Sequence, residues 1–131
     1  MTRPLPSRSG FTLIELMVVV VVIGILAATA VPKFVSATRG SREAEAKPLL
    51  RQIYTLEERY KARTGAYSMD IALLEGGPAL SSSGQYFTYA VDAHASGFCI
   101  AASPTAAGTT FGVDPRSMDA NGNLFASGNC S

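Results

Sequence analysis

A single carboxylate stands inside a long apolar run. Glu15 is the only ionisable residue from Phe11 to Val31, a stretch of 21 residues of which 17 are apolar. An ionised carboxylate in hydrocarbon costs about 2.5–3.5 kcal/mol near a helix centre and less near an end. The helix macrodipole returns only about 0.3–1 kcal/mol to an acid in the first turn. Helix stabilisation therefore does not account for Glu15, and we predict a functional role for it.

The two cysteines are the next residues that could do chemistry. Cys99 lies five residues after His94, the one histidine of the chain. A cysteine nucleophile needs an activating base that is itself oriented by a third group, and no third group is recognisable here. We therefore predict that Cys99 is not catalytic, that His94 is a turn residue and that the chain is not an enzyme.

A cluster of Asp and Asn near the C-terminus suggests a calcium loop at first sight. An EF-hand loop needs glycine at its sixth position, whereas Gly122 is the fourth residue counted from Asp119. The pair Asn121–Gly122 between apolar residues is instead typical of a two-residue β-hairpin turn. The sequence thus predicts a hairpin and neither a metal nor a cofactor.

The apolar run and the charges around it indicate a membrane-crossing segment. About 20 helical residues span the ~30 Å hydrocarbon layer. Residues 1–10 carry Arg3 and Arg8, residues 33–64 carry eight basic and four acidic groups, and residues 65–131 carry one basic and five acidic groups. Basic residues before the run favour a cytoplasmic N-terminus, which places the C-terminal hundred residues outside. In that oxidising compartment Cys99 and Cys130 are expected to form a disulfide.

Apolar periodicity predicts one long helix from Phe11 to about Arg63. After Pro32 the apolar residues recur at helical spacing on one face of the helix, with charges on the opposite face: Ala46, Leu49, Leu50, Ile53, Leu56 and Tyr60. Kinks are expected at Pro32 and Pro48, and a stop at Gly65. Two ion pairs are expected on the charged face, Glu43 with Lys47 and Glu57 with Lys61.

A small antiparallel sheet is predicted to pack on the amphipathic half of this helix, after a long surface loop over residues 65–85. Strands are expected at Tyr86–Asp92, Phe98–Ala102 and Thr109–Asp114, followed by the hairpin. The predicted fold class is α+β. The predicted segments are a leader (1–10), a membrane or filament-core half-helix (11–32), an amphipathic half-helix (33–64) and the loop, sheet and Cys-delimited region (65–131).

The segment from Gly10 onward, GFTLIELMVVVVVIGILAATAVPKF, resembles the type IV pilins and their pseudopilin relatives. It combines a short basic leader that ends in glycine, a phenylalanine, a glutamate five residues after the glycine and an apolar stretch that ends at a proline. The resemblance is close over residues 1 to about 35, and the later order of elements follows the same plan loosely.

The resemblance implies roles for particular residues. A prepilin peptidase would cut after Gly10, and Phe11 would become an N-methylated N-terminus. Glu15, the fifth residue of the mature chain, would neutralise the N-terminal amine of a neighbouring subunit. The helix between Gly24 and Pro32 would melt in the filament; a simple kink there is the equal alternative.

The resemblance also implies a function, a location and partners. The chain would be a structural subunit of a type IV pilus, held in the bacterial inner membrane before assembly and in an extracellular filament afterwards. Its partners would be copies of itself, the prepilin peptidase and methyltransferase, an assembly platform and a motor. A disulfide between Cys99 and Cys130 would close the C-terminal region. The pseudopilins of type II secretion typically have a calcium site and no disulfide there, so the cysteines favour a pilus subunit.

Two alternatives remain open at this point. A conventional signal peptide cut after Ala30 would release a soluble exported protein, although the apolar run is longer than usual for one and Glu15 interrupts it. A minor pilin or competence pseudopilin would bind DNA through basic groups, for which Arg39, Arg42, Lys47, Arg51 and Arg116 are the candidates. A run of charges on a helix is more often a solvated face, so nucleic-acid binding is not favoured.

Overall fold

The computed structural model describes residues 10–82 and 84–131. The predicted leader with Arg3 and Arg8 lies outside the described residues, apart from Gly10. The chain divides into two compact units, residues 1–36 and residues 37–131. The predicted segment borders after residues 10, 32 and 64 stay predictions.

The described part of the first unit is helical and apolar. The first helix, α1, spans Leu13–Glu43, and every described side chain of the first unit is exposed. The helix is long and apolar enough to cross a membrane, although a signal sequence would pass the same test. Pro32 lies inside α1 with helix on both sides of it.

The predicted long helix is interrupted at Ala44–Glu45, one turn before the kink expected at Pro48. The second helix, α2, spans Ala46–Thr64 and has Pro48 in its first turn. Proline has no N–H to donate to the carbonyl four residues earlier, which is that of Ala44. Because α2 begins just before Pro48, Pro48 lies among the first residues of a helix, whose N–H groups have no acceptor within that helix. The missing N–H of Pro48 therefore costs no helical hydrogen bond. The Glu45 N–H bonds instead to the Arg42 carbonyl, three residues back, at 3.1 Å.

The apolar face of α2 packs on the rest of the second unit, as predicted. Leu50 and Ile53 are fully buried. The helix ends at Gly65, whose left-handed φ of +86° suits glycine and lets its N–H cap the Lys61 carbonyl. The predicted pairs Glu43–Lys47 and Glu57–Lys61 are absent from the ion pairs of the described residues. Glu57 was placed on the charged face, and the structure buries it completely.

The segment between α2 and the sheet is more ordered than the surface loop that the sequence predicts over residues 65–85. It contains a 3₁₀-helix at Ile71–Leu73 and a short helix, α3, at Gly77–Ser81. Leu74 and Leu80 are buried in the core. Glycine and serine in this stretch suggest a loop, but these two leucines bind it to the core.

The sheet has four antiparallel strands in the order β1-β2-β3-β4: Phe87–His94, Gly97–Pro104, Arg116–Asp119 and Leu124–Phe125. The predicted hairpin is confirmed, since β3 pairs with β4, but its turn is longer than two residues. The Asp119 N–H bonds to the Asn123 carbonyl, and of Asn121 and Gly122 only Gly122 has a positive φ, of 81°. The predicted strand at Thr109–Asp114 is wrong. Its first residues belong to a helix, α4, at Ala106–Thr110, which Thr105 caps by accepting from the Gly108 N–H. A Cβ at Gly108 would lie 2.3 Å from the Tyr86 carbonyl oxygen, so only glycine allows this close approach.

The core of the second unit lies between α2 and the sheet. It contains aliphatic residues of the helix and aromatic and aliphatic residues of β1, β2 and β3. Its largest fully buried apolar side chains are Phe87, Phe98, Leu50, Ile53 and Ile100. The α+β architecture predicted from the sequence is therefore confirmed.

Candidate functional site

Glu15 lies in the first turn of α1 and has no cationic partner among the described residues. The Thr12 hydroxyl accepts a 3.3 Å hydrogen bond from the Glu15 N–H and lies 3.5 Å from the Glu15 Oε2. Threonine before a helix and glutamate three residues later form most of a capping box. Thr12 is not among the residues singled out from the sequence, although the spacing T-x-x-E is a signal for it. The carboxylate thus sits at the end of an exposed apolar helix, open to a partner.

Gly24 and Pro32 both lie within the helix, so the predicted melting between them is not present in this structure. A Cβ at Gly24 would meet no atom within 4 Å, which means that packing within the chain does not require glycine there. The Thr29 hydroxyl donates to the Leu26 carbonyl at 3.0 Å, a contact that often accompanies bending. Helical order in this stretch is weakened by its residue types, and melting in a filament stays a prediction.

The last turn of α1 is joined to the β3 region by a cluster of four charges. The Glu43 carboxylate accepts from Arg39 Nε at 3.0 Å and from Arg116 at 2.6 Å. Arg39 also pairs with Asp114. Burial raises the pKa of Glu43, but the hydrogen bonds from Arg39 and Arg116 outweigh it and hold the pKa below its ordinary value.

The basic residues that were candidates for DNA binding differ in whether other side chains already engage them. Arg39 and Arg116 are engaged by carboxylates, and the Arg42 guanidinium lies 3.7 Å from the centre of the Phe111 ring. Lys47 and Arg51 are exposed, and no ion pair within the described ranges involves them. Carboxylates therefore offset the charge of Arg39 and Arg116.

Cys99 and Cys130 form a disulfide, in agreement with the expectation from the sequence. Cys99 is in the middle of β2, and Cys130 is next to the C-terminal residue. The Cys130 N–H donates to the buried Ser117 hydroxyl at 2.9 Å. The disulfide therefore holds the last residues of the chain against the central strands.

Asp119 holds the turn of the β3–β4 hairpin. Its carboxylate accepts from the backbone N–H groups of Asn121 and Asn123 at 3.0 and 2.8 Å and from both amide side chains at 3.4 and 3.0 Å. Burial raises the pKa of Asp119, and these hydrogen bonds outweigh that effect and lower it. His94, at the end of β1, bonds Ser96 in the neighbouring turn. Within residues 10–82 and 84–131, no three metal-binding side chains come together.

Two family models match the chain. The first is described as the prokaryotic N-terminal methylation motif and covers residues 5–31. The second is described as "Type IV minor pilin ComP, DNA uptake sequence receptor" and covers residues 32–112. Together they extend from the basic leader through α4.

Curated relatives agree with these models. The chain is 30% identical over 111 residues to the type IV wide pilus major component PilA4 of Thermus thermophilus, which is 83% of each chain. It is 46% identical over 63 residues to the type IV major pilin PilA of Myxococcus xanthus, covering 48% of this chain and 29% of that protein. It is 45% identical over 61 residues to the type II secretion system core protein G of Pseudomonas aeruginosa, covering 47% of this chain and 43% of that protein. The chain thus spans less than half the length of the last two, and no solved structure matches it.

Proposed function

Because the chain belongs to the type IV pilin family, we propose that it is a structural subunit of a type IV pilus filament. The observation that carries this proposal is the largely apolar stretch Phe11–Val31, which is exposed throughout and in which the carboxylate of Glu15 is the only ionisable group. Such a surface needs lipid or other helices to cover it. Membrane lipid would cover the surface before assembly, and the helices of neighbouring subunits would cover it in the filament.

Assembly would use the two ends of the same short segment. A prepilin peptidase would cut the bond between Gly10 and Phe11, and the new terminal amine would carry a positive charge. Glu15 of one copy would pair with the amine of the next, because an unpaired charge in the apolar core of a filament is costly. The family model for the methylation motif supports this processing, since its match spans the cleavage position.

The other partners and locations follow from this proposal. Before assembly the chain would be a single-pass protein of the bacterial inner membrane with its second unit outside the cytoplasm; afterwards it would be on the cell surface. The partners would include the peptidase and methyltransferase, a membrane platform and a cytoplasmic motor. The role is structural packing, and no catalytic residue is proposed.

The experiment that tests this proposal substitutes Glu15. In cells that carry the assembly machinery, Glu15→Ala should accumulate in the membrane at the wild-type level, because it removes a charge from an apolar helix. Its yield of sheared surface filaments should fall by about tenfold or more, the effect of losing roughly 1.4 kcal/mol per subunit contact.

Glu15→Asp is the matched control, since it keeps the charge and shortens the side chain by one carbon. It should retain more filament than Glu15→Ala. Filament yields of Glu15→Ala equal to wild type would contradict the pairing role.

A second candidate function is DNA binding by the same subunit, because the family model that matches residues 32–112 is described as a DNA uptake sequence receptor. The exposed Lys47 and Arg51 on α2 are the basic groups of the five candidates that remain for phosphates. Binding through them would weaken steeply with salt, since it releases counterions from the DNA.

DNA binding is tested by fluorescence anisotropy of labelled duplex with detergent-solubilised chain at low and moderate salt. Lys47→Ala/Arg51→Ala should lose affinity, whereas Lys47→Arg/Arg51→Lys, which keeps both charges, should retain it. Absence of salt-sensitive binding by the wild-type chain would remove this candidate.

Two further alternatives remain distinguishable from these. A pseudopilin of type II secretion would share the processing and the apolar helix, and the similarity to core protein G keeps that alternative in view. An exported protein with a signal peptide cut after Ala30 would lose α1 up to that residue. The match to the methylation motif over residues 5–31 supports cleavage after Gly10 instead.

A further inference from the structure

Glu57 is a fully buried acid that accepts a single hydrogen bond from the part of the chain that the structure describes. It lies on α2, and none of its surface is exposed. Its Oε2 accepts from the Ser68 N–H at 2.9 Å. No donor among the described residues reaches its Oε1. A carboxylate in such a position is poorly compensated, because a buried charge needs several hydrogen bonds or an opposite charge.

The segment that Glu57 holds, residues 66–73, is organised by a short chain of hydrogen bonds that begins at Ser68. The Ser68 hydroxyl donates to the Asp70 carbonyl at 2.7 Å and accepts from the Asp70 N–H at 3.1 Å. The Asp70 side chain then accepts from the Ala72 N–H at 2.9 Å and caps the 3₁₀-helix. The bond from Ser68 to Glu57 joins this whole arrangement to α2.

Glu58, the acid next to Glu57, holds the start of the same segment through a side-chain hydrogen bond from Tyr67. Tyr67 donates its hydroxyl to Glu58 Oε1 at 2.8 Å and accepts from Lys61 Nζ at 3.0 Å. The Tyr67 ring packs edge-on against Phe98 with centroids 4.8 Å apart. Lys61 is thus engaged with Tyr67, and it does not offset a charge on Glu57.

We propose that Glu57 is a pH-sensitive latch: its neutral carboxyl holds residues 66–73 against α2, and its ionisation releases them. The segment carries Met69 and Leu73, which are exposed large apolar residues. Release would therefore change the apolar surface that the second unit presents. This inference does not depend on assembly into a filament.

The direction of the response follows from burial. Burial raises the pKa of Glu57, the Ser68 N–H lowers it by less, and the charge of Glu58 raises it further. A carboxyl whose folded pKa lies above its unfolded value contributes stability that is present at low pH and lost as the pH rises through the folded value. The latch is closed in acid and opens on the alkaline side.

Other charged groups around Glu57 do not reverse this direction. The main elements that pack on α2 are β2, β3 and α3. Strand β2 and helix α3 carry no acidic or basic residue, Arg116 of β3 pairs with Glu43, and Asp119 is satisfied by Asn121 and Asn123. Asp70 on the latch segment is exposed. The remaining ionisable groups of α2 are Lys47, Arg51, Tyr54, Glu58, Arg59, Tyr60, Lys61 and Arg63, of which Glu58 alone acts electrostatically on the pKa of Glu57.

The test is hydrogen exchange of the full chain in detergent, measured by mass spectrometry from about pH 3.5, below the ordinary pKa of a glutamate, to about pH 8.5, and corrected for the intrinsic rate. In the wild type, protection of residues 66–73 should fall about tenfold or more with rising pH, and a peptide over Phe87–Val91 of β1 should not change. In Glu57→Gln, a neutral isostere that can still accept from Ser68, protection should be independent of pH. Because the two proteins differ only at Glu57, the comparison isolates the contribution of this residue.

Glu75→Gln is the matched control, since Glu75 is an exposed acid close to the same segment. It should behave as the wild type does. Wild-type protection that does not change with pH, or an equal fall in Glu57→Gln, would overturn the proposal. Should Glu57→Gln not fold, the wild type and Glu75→Gln still decide: a fall confined to residues 66–73 supports the latch and a flat profile rejects it.

Discussion

Three of the buried or half-buried carboxylates of the second unit are held in different ways, and each way determines the response to pH. Asp119 accepts four hydrogen bonds from neutral donors, Glu43 is held by two arginines, and Glu57 has one N–H. The pKa of Asp119 and that of Glu43 are lowered, whereas that of Glu57 is raised. The charge of the first two stabilises the fold, and the charge of the third opposes it.

At the residue scale, removing the Asp119 side chain should destabilise the β3–β4 hairpin. Asp119→Ala leaves the N–H groups of Asn121 and Asn123 without an acceptor, and we expect a loss of about 2–4 kcal/mol in the free energy of unfolding. Urea unfolding in detergent measures it. Asp92→Ala, which removes an exposed acid of β1, should cost less than about 0.5 kcal/mol. Equal losses in the two variants would contradict the role of Asp119.

A second residue-scale prediction concerns acid. Because the folded pKa of Glu43 is lowered, its contribution is present above the unfolded pKa and is lost as the pH falls through the folded value. Glu43→Gln should lower the free energy of unfolding by about 1–3 kcal/mol at neutral pH. The difference from wild type should shrink near pH 3, within the range where carboxylates titrate. Urea titrations at the two pH values measure it, and a difference that is constant across that range would count against the ion-pair cluster.

At the scale of elements, much of the order could be predicted because it rests on local signals. The periodicity of α2, its stop at Gly65 and the presence of the β3–β4 hairpin follow from spacing and from residues that suit particular backbone angles, whereas the length of the hairpin turn does not. The strand predicted at Thr109–Asp114 is wrong, although its β-branched residues suggest a strand. In the structure, the cap at Thr105 and the close packing of Gly108 on Tyr86 favour a helix instead. That packing is a tertiary contact, and no local sequence pattern predicts it.

The helix break before Pro48 and the burial of Glu57 show the same limit. A proline in a periodic stretch indicates that a helical hydrogen bond is lost. Whether the helix bends at the proline or a new helix begins before it depends on the tertiary structure. Glu57 was assigned to a solvated face from its charge, and the Ser68 N–H that accompanies its burial lies eleven residues away. For the candidate site, the sequence indicated Glu15 and the disulfide, and it missed Thr12.

A prediction at this scale concerns the helix between Gly24 and Pro32. Gly24→Ala should favour helix by about 0.5–1 kcal/mol, and since a Cβ there meets nothing within 4 Å it should not disturb the chain. If residues 25–31 melt in filaments, hydrogen exchange of that stretch should slow in Gly24→Ala filaments. Gly40→Ala, in the same helix and equally unobstructed, should leave that stretch as in the wild type. Full protection of the stretch in wild-type filaments would argue against melting.

At the scale of the whole molecule, one covalent link and one small core support the second unit. The disulfide closes a loop with a sequence separation of 31, for which chain entropy predicts about 3.5–4 kcal/mol. Replacing Cys99 and Cys130 with serine should lower the free energy of unfolding by about that amount. Urea unfolding of the variant, and of the wild type with and without reductant, measures it. A loss below about 1 kcal/mol would show that the core alone suffices.

The central claim is that the apolar N-terminal helix, freed after Gly10, is covered by the helices of other copies. Mass spectrometry of surface filaments sheared from cells that express the chain tests it most directly. We expect an N-terminal peptide that begins at methylated Phe11 in the filament fraction. A chain that begins at Val31, recovered as a soluble exported protein and absent from filaments, would contradict it.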